Sequence, residues 1–135
     1  MSMYLKVITP EEVVFDSEVS SVSVDSEIGQ LGILPHHIDF VTKIIPGELK
    51  IHTGGKIIRM ATGEGILQMQ ENVITILADL AEEASLIDEK AAEEARKRAE
   101  EALEEKLSAE EYAETLAILE KSLAKLRVKR RHRSI

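Results

Sequence analysis

The apolar residues of this chain keep a period of two up to about residue 84 and a helical period from there on, with no glycine or proline after Gly65. A period of two puts alternate side chains on one face of a strand; steps of three and four put them on one face of a helix. A chain that does both in succession must build a β-region first and a helical region after it. The strand signals are Tyr4 to Ile8, Val13 to Phe15, Val19 to Val24, Ile38 to Ile44, Glu48 to His52, Lys56 to Ala61, Ile66 to Gln70 and Val73 to Leu77. Thr53-Gly54-Gly55 and Glu71-Asn72 read as tight hairpin connections. Short strands at this spacing, each with one apolar face, predict a β-sandwich or flattened barrel of about eight to ten strands.

Beyond residue 84, Ala, Glu, Lys, Arg and Leu dominate. Ser85 or Asp88 can cap a first helix whose small face is Ala91, Ala95, Ala99 and Ala102, and whose exposed face pairs Glu93 with Lys97 and Glu94 with Arg98. Ser108-Ala109-Glu110-Glu111 predicts a capping box for a second helix. Tyr112, Leu116, Leu119, Leu123 and Leu126 then form its stripe, with Ala113 and Ala117 beside it. Alanine stripes on both helices predict an antiparallel two-helix hairpin. Two short helices cannot enclose a core by themselves, so they must lie on the sandwich or another surface. The expected division is therefore residues 1–84 and residues 85–135.

Charge sharpens this division. Residues 1–84 carry five Lys/Arg against thirteen Asp/Glu, and residues 85–120 carry five against twelve. Residues 121–135 carry seven basic residues and no acidic one: Lys121, Lys125, Arg127, Lys129, Arg130, Arg131 and Arg133. Cations favour a helix C-terminus, but that effect fades within a turn and does not account for seven. Such a tip suits nucleic acid, membrane lipid or an acidic protein surface. Nucleic acid is disfavoured by the net charge of −8. With no cysteine, disulfides, thiolate catalysis and Cys-based zinc sites are excluded. No apolar run approaches the ~20 residues that span a bilayer, and Met1-Ser2-Met3-Tyr4 enters a strand pattern directly, so no secretory leader is expected.

Candidate chemistry is sparse. His36 and His37 are adjacent, so an extended backbone points them apart. His52 lies in a strand and His132 in the basic tail, and none has metal-ligand spacing. Gly63-Glu64-Gly65 is too short to cradle phosphate and reads as a bulge or hairpin turn. No nucleophile motif occurs. The unusual stretch is Gly29-Gln30-Leu31-Gly32-Ile33-Leu34-Pro35-His36-His37. Its glycines permit a turn with positive φ, Pro35 forces Leu34 into extended geometry, and Leu31, Ile33 and Leu34 are too apolar for a solvated loop. It reads as a structured connection at one end of the β-region, either a packed corner or a partner-facing surface.

That stretch resembles the signature turn of the epsilon subunit family of bacterial and chloroplast F-type ATP synthases. Val7-Ile8-Thr9-Pro10, Val13-Val14-Phe15-Asp16, Val73-Ile74-Thr75-Ile76-Leu77-Ala78 and Leu126-Arg127-Val128 agree in order and spacing, so the resemblance spans the chain. It implies a non-catalytic rotor component, without a cofactor of its own, whose sandwich binds the gamma subunit and c-ring. Gln30, Leu31, Leu34, His36 and His37 would make that contact, with Gln30 in place of the usual acidic residue. It further implies C-terminal helices that regulate ATP hydrolysis by meeting acidic loops of the alpha and beta subunits, through Lys121, Lys125, Arg127, Lys129, Arg130 and Arg131. Ile87, Asp88 and Ala92 stand where some members bind regulatory ATP, but Ala91 replaces the motif arginine, so only a vestige is expected. The implied location is the cytoplasmic face of the bacterial plasma membrane, or the stromal face of the thylakoid, reached only through the complex. From the residues alone, two rivals stay open: an unrelated sandwich adaptor for an acidic partner, and a nucleic-acid binder using residues 121–135.

Overall fold

The two-residue alternation forms strands throughout the first part of the chain. A computed structural model describes residues 2–133, with side chains to residue 132. The strands are β1 (Met3–Ile8), β2 (Val13–Val19), β3 (Ser21–Ser26), β4 (Gly29–Ile33), β5 (Phe40–Thr53), β6 (Lys56–Thr62), β7 (Gly65–Gln70), β8 (Val73–Ala78) and β9 (Ala81–Glu83). They form one nine-stranded sheet with the order β2-β1-β8-β7-β5-β3-β4, to which β6 adds on β5 and β9 on β6. β1 and β8 are parallel and the other pairs antiparallel.

β5 is what curls the sheet into two facing layers. Its first part, Phe40 to Ile44, pairs with β7, and its second part, Gly47 to Thr53, pairs with β6. Between them Pro46 lacks an N–H to donate, so the ladder can change partners there. Sequence periodicity predicts two strands here, Ile38 to Ile44 and Glu48 to His52; the chain instead runs through Pro46 as one. Leu5, Val7, Leu49, Ile51, Leu67, Ile74 and Ile76 are fully buried between the layers, with Val22, Val24 and Ile33. The aliphatic core follows from the shortage of aromatics: Phe15 and Phe40 only pack on its margin.

The expected tight turns are present. Gly54 and Gly55 adopt φ of 56° and 76°, and Glu71 and Asn72 adopt 48° and 67°. Positive φ at both central residues matches the twist of the flanking strands. Gly63 and Gly65, by contrast, are not turn glycines. A Cβ on Gly65 would lie 2.1 Å from the Leu77 carbonyl oxygen, so this position is glycine because β8 passes against it.

A 3-10 turn at Ala84–Leu86 leads to helix α1 (Glu89–Leu103) and helix α2 (Ala109–Arg133). Asp88 caps α1 by accepting from Ala91 N at 3.1 Å. Ser108 and Glu111 exchange the two bonds of the predicted capping box at 3.1 and 3.2 Å. The Ser108 N–H and hydroxyl hold the Glu111 carboxyl below its ordinary range. On α1 the ion pairs centre on Arg96, which binds Glu93 at i,i+3 and Glu100 at i,i+4, rather than on the expected Glu93–Lys97 and Glu94–Arg98. Ala91 is exposed, and Ala92 and Ala99 carry the buried stripe.

In α2 the buried residues are Ser122, Ala124, Leu126 and Val128. Steps of two place these on opposed sides of a helix. α2 is therefore covered twice: it packs on β5 and β6 on one side and on α1 on the other. The single leucine stripe expected from the sequence is corrected accordingly, since Tyr112 and Leu123 stay about half exposed while Ala124 and Val128 are buried. The layers run sheet, sheet, α2, α1.

Candidate functional site

Two surfaces collect the residues singled out from the sequence. The first lies around the connection from β4 to β5. Gly29 to Ile33 is not a turn but edge strand β4, paired only with β3; the β3–β4 turn sits earlier, at Glu27 and Ile28. Ser26 Oγ shapes that turn by donating to the Gly29 carbonyl at 2.6 Å. Only Gly29, with φ of 114°, needs its conformational freedom there. Gln30 is exposed, whereas Leu31 is half-buried and packs against the core.

The true loop is residues 34–39, and it is pinned. His36, itself at φ 67°, donates its N–H to Asn72 Oδ1 at 2.9 Å. Asp39 Oδ1 accepts from Glu71 N at 3.0 Å. Asn72 also donates from Nδ2 to the Ser2 carbonyl at 2.9 Å. The His37 ring sits 4.9 Å from the Phe40 ring. Held in this way, the segment leaves Ile28, Leu34, Ile38 and Val41 between 64% and 79% exposed. Single exposed apolar residues are ordinary, but here four fall within fourteen positions of a tethered segment. Ile28, Ile38 and Val41 were not singled out from the sequence, because alternation alone cannot tell an inward from an outward face.

The second surface is the basic part of α2, where an acidic partner is already in place within the chain. Lys121 Nζ lies 3.0 Å from Asp79 Oδ2, and Lys125 Nζ lies 3.6 Å from Glu82 Oε1. Lys129 Nζ donates to the Ala84 carbonyl at 3.0 Å. Arg131 pairs with Glu48, whose other oxygen accepts from Arg59 at 3.2 Å. Arg130 turns the other way, to Glu89 at 3.3 Å and Glu93 at 3.1 Å on α1. The Arg96 and Arg130 guanidiniums hold the Glu93 carboxyl below its usual range. Arg127 is exposed beside Ile45, Pro46 and Glu64, and the Arg133 side chain lies outside the described residues. Beneath these pairs Val128 packs on Ala61, Ala84 and Ile87. Glu48 could not be grouped with Asp79 and Glu82 from the sequence, since it comes from β5, more than thirty residues away.

Ile87, Asp88 and Ala92 are all occupied structurally: Ile87 in that small core, Asp88 as the helix cap, and Ala92 buried in α1. Among the described residues no cluster of His, Asp or Glu could hold a metal ion, and no helix is long and apolar enough to cross a membrane.

Comparison with known proteins agrees with this architecture. Residues 2–84 match the family model for the ATP synthase delta/epsilon chain β-sandwich domain, and residues 86–130 match that for its long α-helix domain. The ATP synthase epsilon chain of Herpetosiphon aurantiacus is 38% identical over 134 residues, covering 99% of this chain and 98% of its own. That of Nitrosococcus oceani is 35% identical over 135 residues, covering 98% and 96%. Among solved structures, a chain of the Euglena gracilis mitochondrial ATP synthase (OSCP/F1/c-ring) shares the fold with a TM-score of 0.77 at 20% identity, covering 91% of this chain and 78% of that one. Two family models that together span almost the whole chain, and relatives matched end to end, make this chain a member of the ATP synthase epsilon chain family, a non-catalytic subunit of that complex.

Proposed function

We propose that this subunit works in the central rotor, with residues 1–84 as the rotor-binding unit and residues 85–135 as a regulatory hairpin. The tethered segment 28–41, with Gln30, Leu34, His36 and His37, is the contact surface for the gamma subunit and the c-ring. Leu31 supports it from the core side. The hairpin restrains ATP hydrolysis when α2 leaves the sandwich and carries Lys121, Lys125, Arg127, Lys129, Arg130 and Arg131 to acidic loops of the alpha and beta subunits. The chain reaches the cytoplasmic face of the membrane, or its stromal counterpart, only through the complex.

One observation carries this reading. α2 meets the sandwich through a small core of Ala61, Ala84, Ile87 and Val128, flanked by partly exposed ion pairs at Asp79 and Glu82 and by the pair at Glu48. Exposed pairs are worth ~0–1 kcal/mol each and weaken in salt, so such an interface can separate. At 1.5 Å per residue, the 25-residue helix α2 reaches roughly 37 Å once free.

The test is ATP hydrolysis by the reconstituted complex with the full chain and with a chain ending at Ala84. Removal of residues 85–135 should raise hydrolysis, and so should joint replacement of Lys125, Arg127, Lys129, Arg130 and Arg131 by Ala. Equal rates for all three would end the regulatory reading.

A further inference from the structure

Among the contacts that hold α2, the one at Glu48 differs in kind. The Glu48 side chain is 4% exposed, while Asp79 and Glu82 are over a third exposed. It sits on the outer face of β5, one diagonal step from Arg59 of β6, and is buried because α2 lies over it. Its two carboxylate oxygens go to different arginines, Oε2 to Arg59 and Oε1 to Arg131. A desolvated carboxylate must be paired. It is paired here by one residue of the sandwich that never leaves and one residue of the helix that can.

We propose that Glu48 is the switch point of the hairpin, a carboxylate for which Arg59 and Arg131 compete. This rests on the regulatory reading given above and names what sets the balance between docked and free helices. With α2 docked, each arginine takes one oxygen. With α2 free, the Glu48 side chain is open to water and Arg59 can take both oxygens, since a guanidinium binds a carboxylate by two parallel bonds. Arg59 therefore stabilises the undocked state and weakens the hold of Arg131. Lys121 and Lys125, on exposed carboxylates, guide docking without deciding it.

The competition gives opposite signs for two arginines on one carboxylate. Glu48→Gln and Arg131→Gln should each favour undocking, and the two together should do little more than either alone, because they remove the same contact. Arg59→Gln should favour docking, because Glu48 then depends on Arg131.

The chain has no cysteine, so a single introduced thiol reports on its own site. Val128→Cys places one where the native side chain is 0% exposed, against Ala61, Ala84 and Ile87. Its rate of labelling by a small thiol reagent follows the undocked fraction. In the isolated chain, Glu48→Gln and Arg131→Gln should each speed labelling about tenfold, the scale of a lost hydrogen bond to a charged group, and Arg59→Gln should slow it. A second thiol at Val24→Cys, inside the sandwich, reads opening of the sheet and should stay protected throughout. If Glu48→Gln also exposes that thiol, Arg131→Gln, which leaves the sheet untouched, decides alone. Wild-type labelling in Arg131→Gln, or faster labelling in Arg59→Gln with the sandwich thiol protected, overturns the proposal. Because this readout needs no complex, its failure would leave the hydrolysis result of the truncated chain standing, and the converse also holds.

Discussion

Gly63 and Asp79 fit together so closely that a Cβ on Gly63 would lie 1.9 Å from Asp79 Oδ1. The other oxygen of the same carboxylate, Oδ2, holds Lys121 of α2 at 3.0 Å. The backbone of the β6–β7 connection therefore sets the aim of an acidic residue that pairs with α2. Nearby, the Asp79 N–H donates to the Glu64 carbonyl and the Gly63 N–H to the Leu80 carbonyl, both at 3.0 Å, so the carboxylate has a fixed base.

Gly63→Ala and Gly65→Ala should therefore separate. At Gly63 the clash is with a side chain that can swing away, so the sandwich should stay folded while Lys121 loses its partner and the hairpin loosens. At Gly65 the clash is with the Leu77 carbonyl and the Ala78 Cα, which cannot move independently of β8. That variant should lose about 1–3 kcal/mol of sandwich stability in a urea melt, the usual cost of overpacking. Equal melts for the two would refute this account of the pair.

The loop surface gives a second contrast within one strand and its extension. Leu34 is 64% exposed, whereas Leu31 packs on the core. Leu34→Asp should leave the isolated subunit folded, with an unchanged melt, and weaken its assembly with the other rotor subunits. Leu31→Asp puts an unpaired carboxylate against the core and should destabilise the isolated chain by about 2 kcal/mol or more. Unfolding of Leu34→Asp by itself would remove the partner-surface reading.

These contrasts mark where the sequence was informative. Hairpin turns, the Asp88 cap and the Ser108–Glu111 box are local devices, and local chemistry suffices to place them. β4 was obscured because its two glycines and the following Pro35 carry turn chemistry, although register with β3 pulls Gly29 to Ile33 into the sheet. The double-sided burial of α2 was hidden for a related reason. Ala124 and Val128 look like filler beside a leucine stripe until Val128 is seen to pack on Ala61 of β6 and on Ala84 and Ile87 at the 3-10 turn. Glu48 alternates as a solvent-facing position of β5; only a helix 83 residues further on turns it into a buried one.

Acid should act on the hairpin through two carboxyls. Glu93, bonded by Arg96 and Arg130, and Glu111, bonded by the Ser108 N–H and hydroxyl, both titrate below the ordinary value of 4.5. A depressed folded-state value means stability that is present above the unfolded value and is lost as pH falls through the folded one. The helical signal in far-UV circular dichroism should thus begin to weaken below about pH 4.5. Ser108→Ala keeps the N–H that bonds Glu111 and removes only the hydroxyl's part of that share, so its stability should be lower at neutral pH and fall somewhat less steeply in acid. A variant whose acid profile runs parallel to the wild type would show that the Ser108 hydroxyl plays no part in it.

Nucleotide provides the last contrast, because each residue of the motif region already has a structural task. The Asp88 carboxylate accepts from Ala91 N at 3.1 Å, Ile87 is sealed beneath Val128, and Ala92 is buried in α1. At position 91, where the resemblance to some members would put an arginine, the alanine side chain offers no donor, and a phosphate group without an arginine partner loses its bidentate contact. Isothermal titration of the isolated chain with ATP should therefore show no saturable binding below about 1 mM, a standard free energy weaker than about −4 kcal/mol. Asp88→Ala should cost α1 its cap, about 1 kcal/mol, without altering the titration. Ala91→Arg is the informative reversal: it keeps the cap, which uses only the backbone N–H of residue 91, and restores the missing guanidinium. Submillimolar binding by the wild-type chain that disappears in Asp88→Ala would instead make Asp88 a ligand as well as a cap.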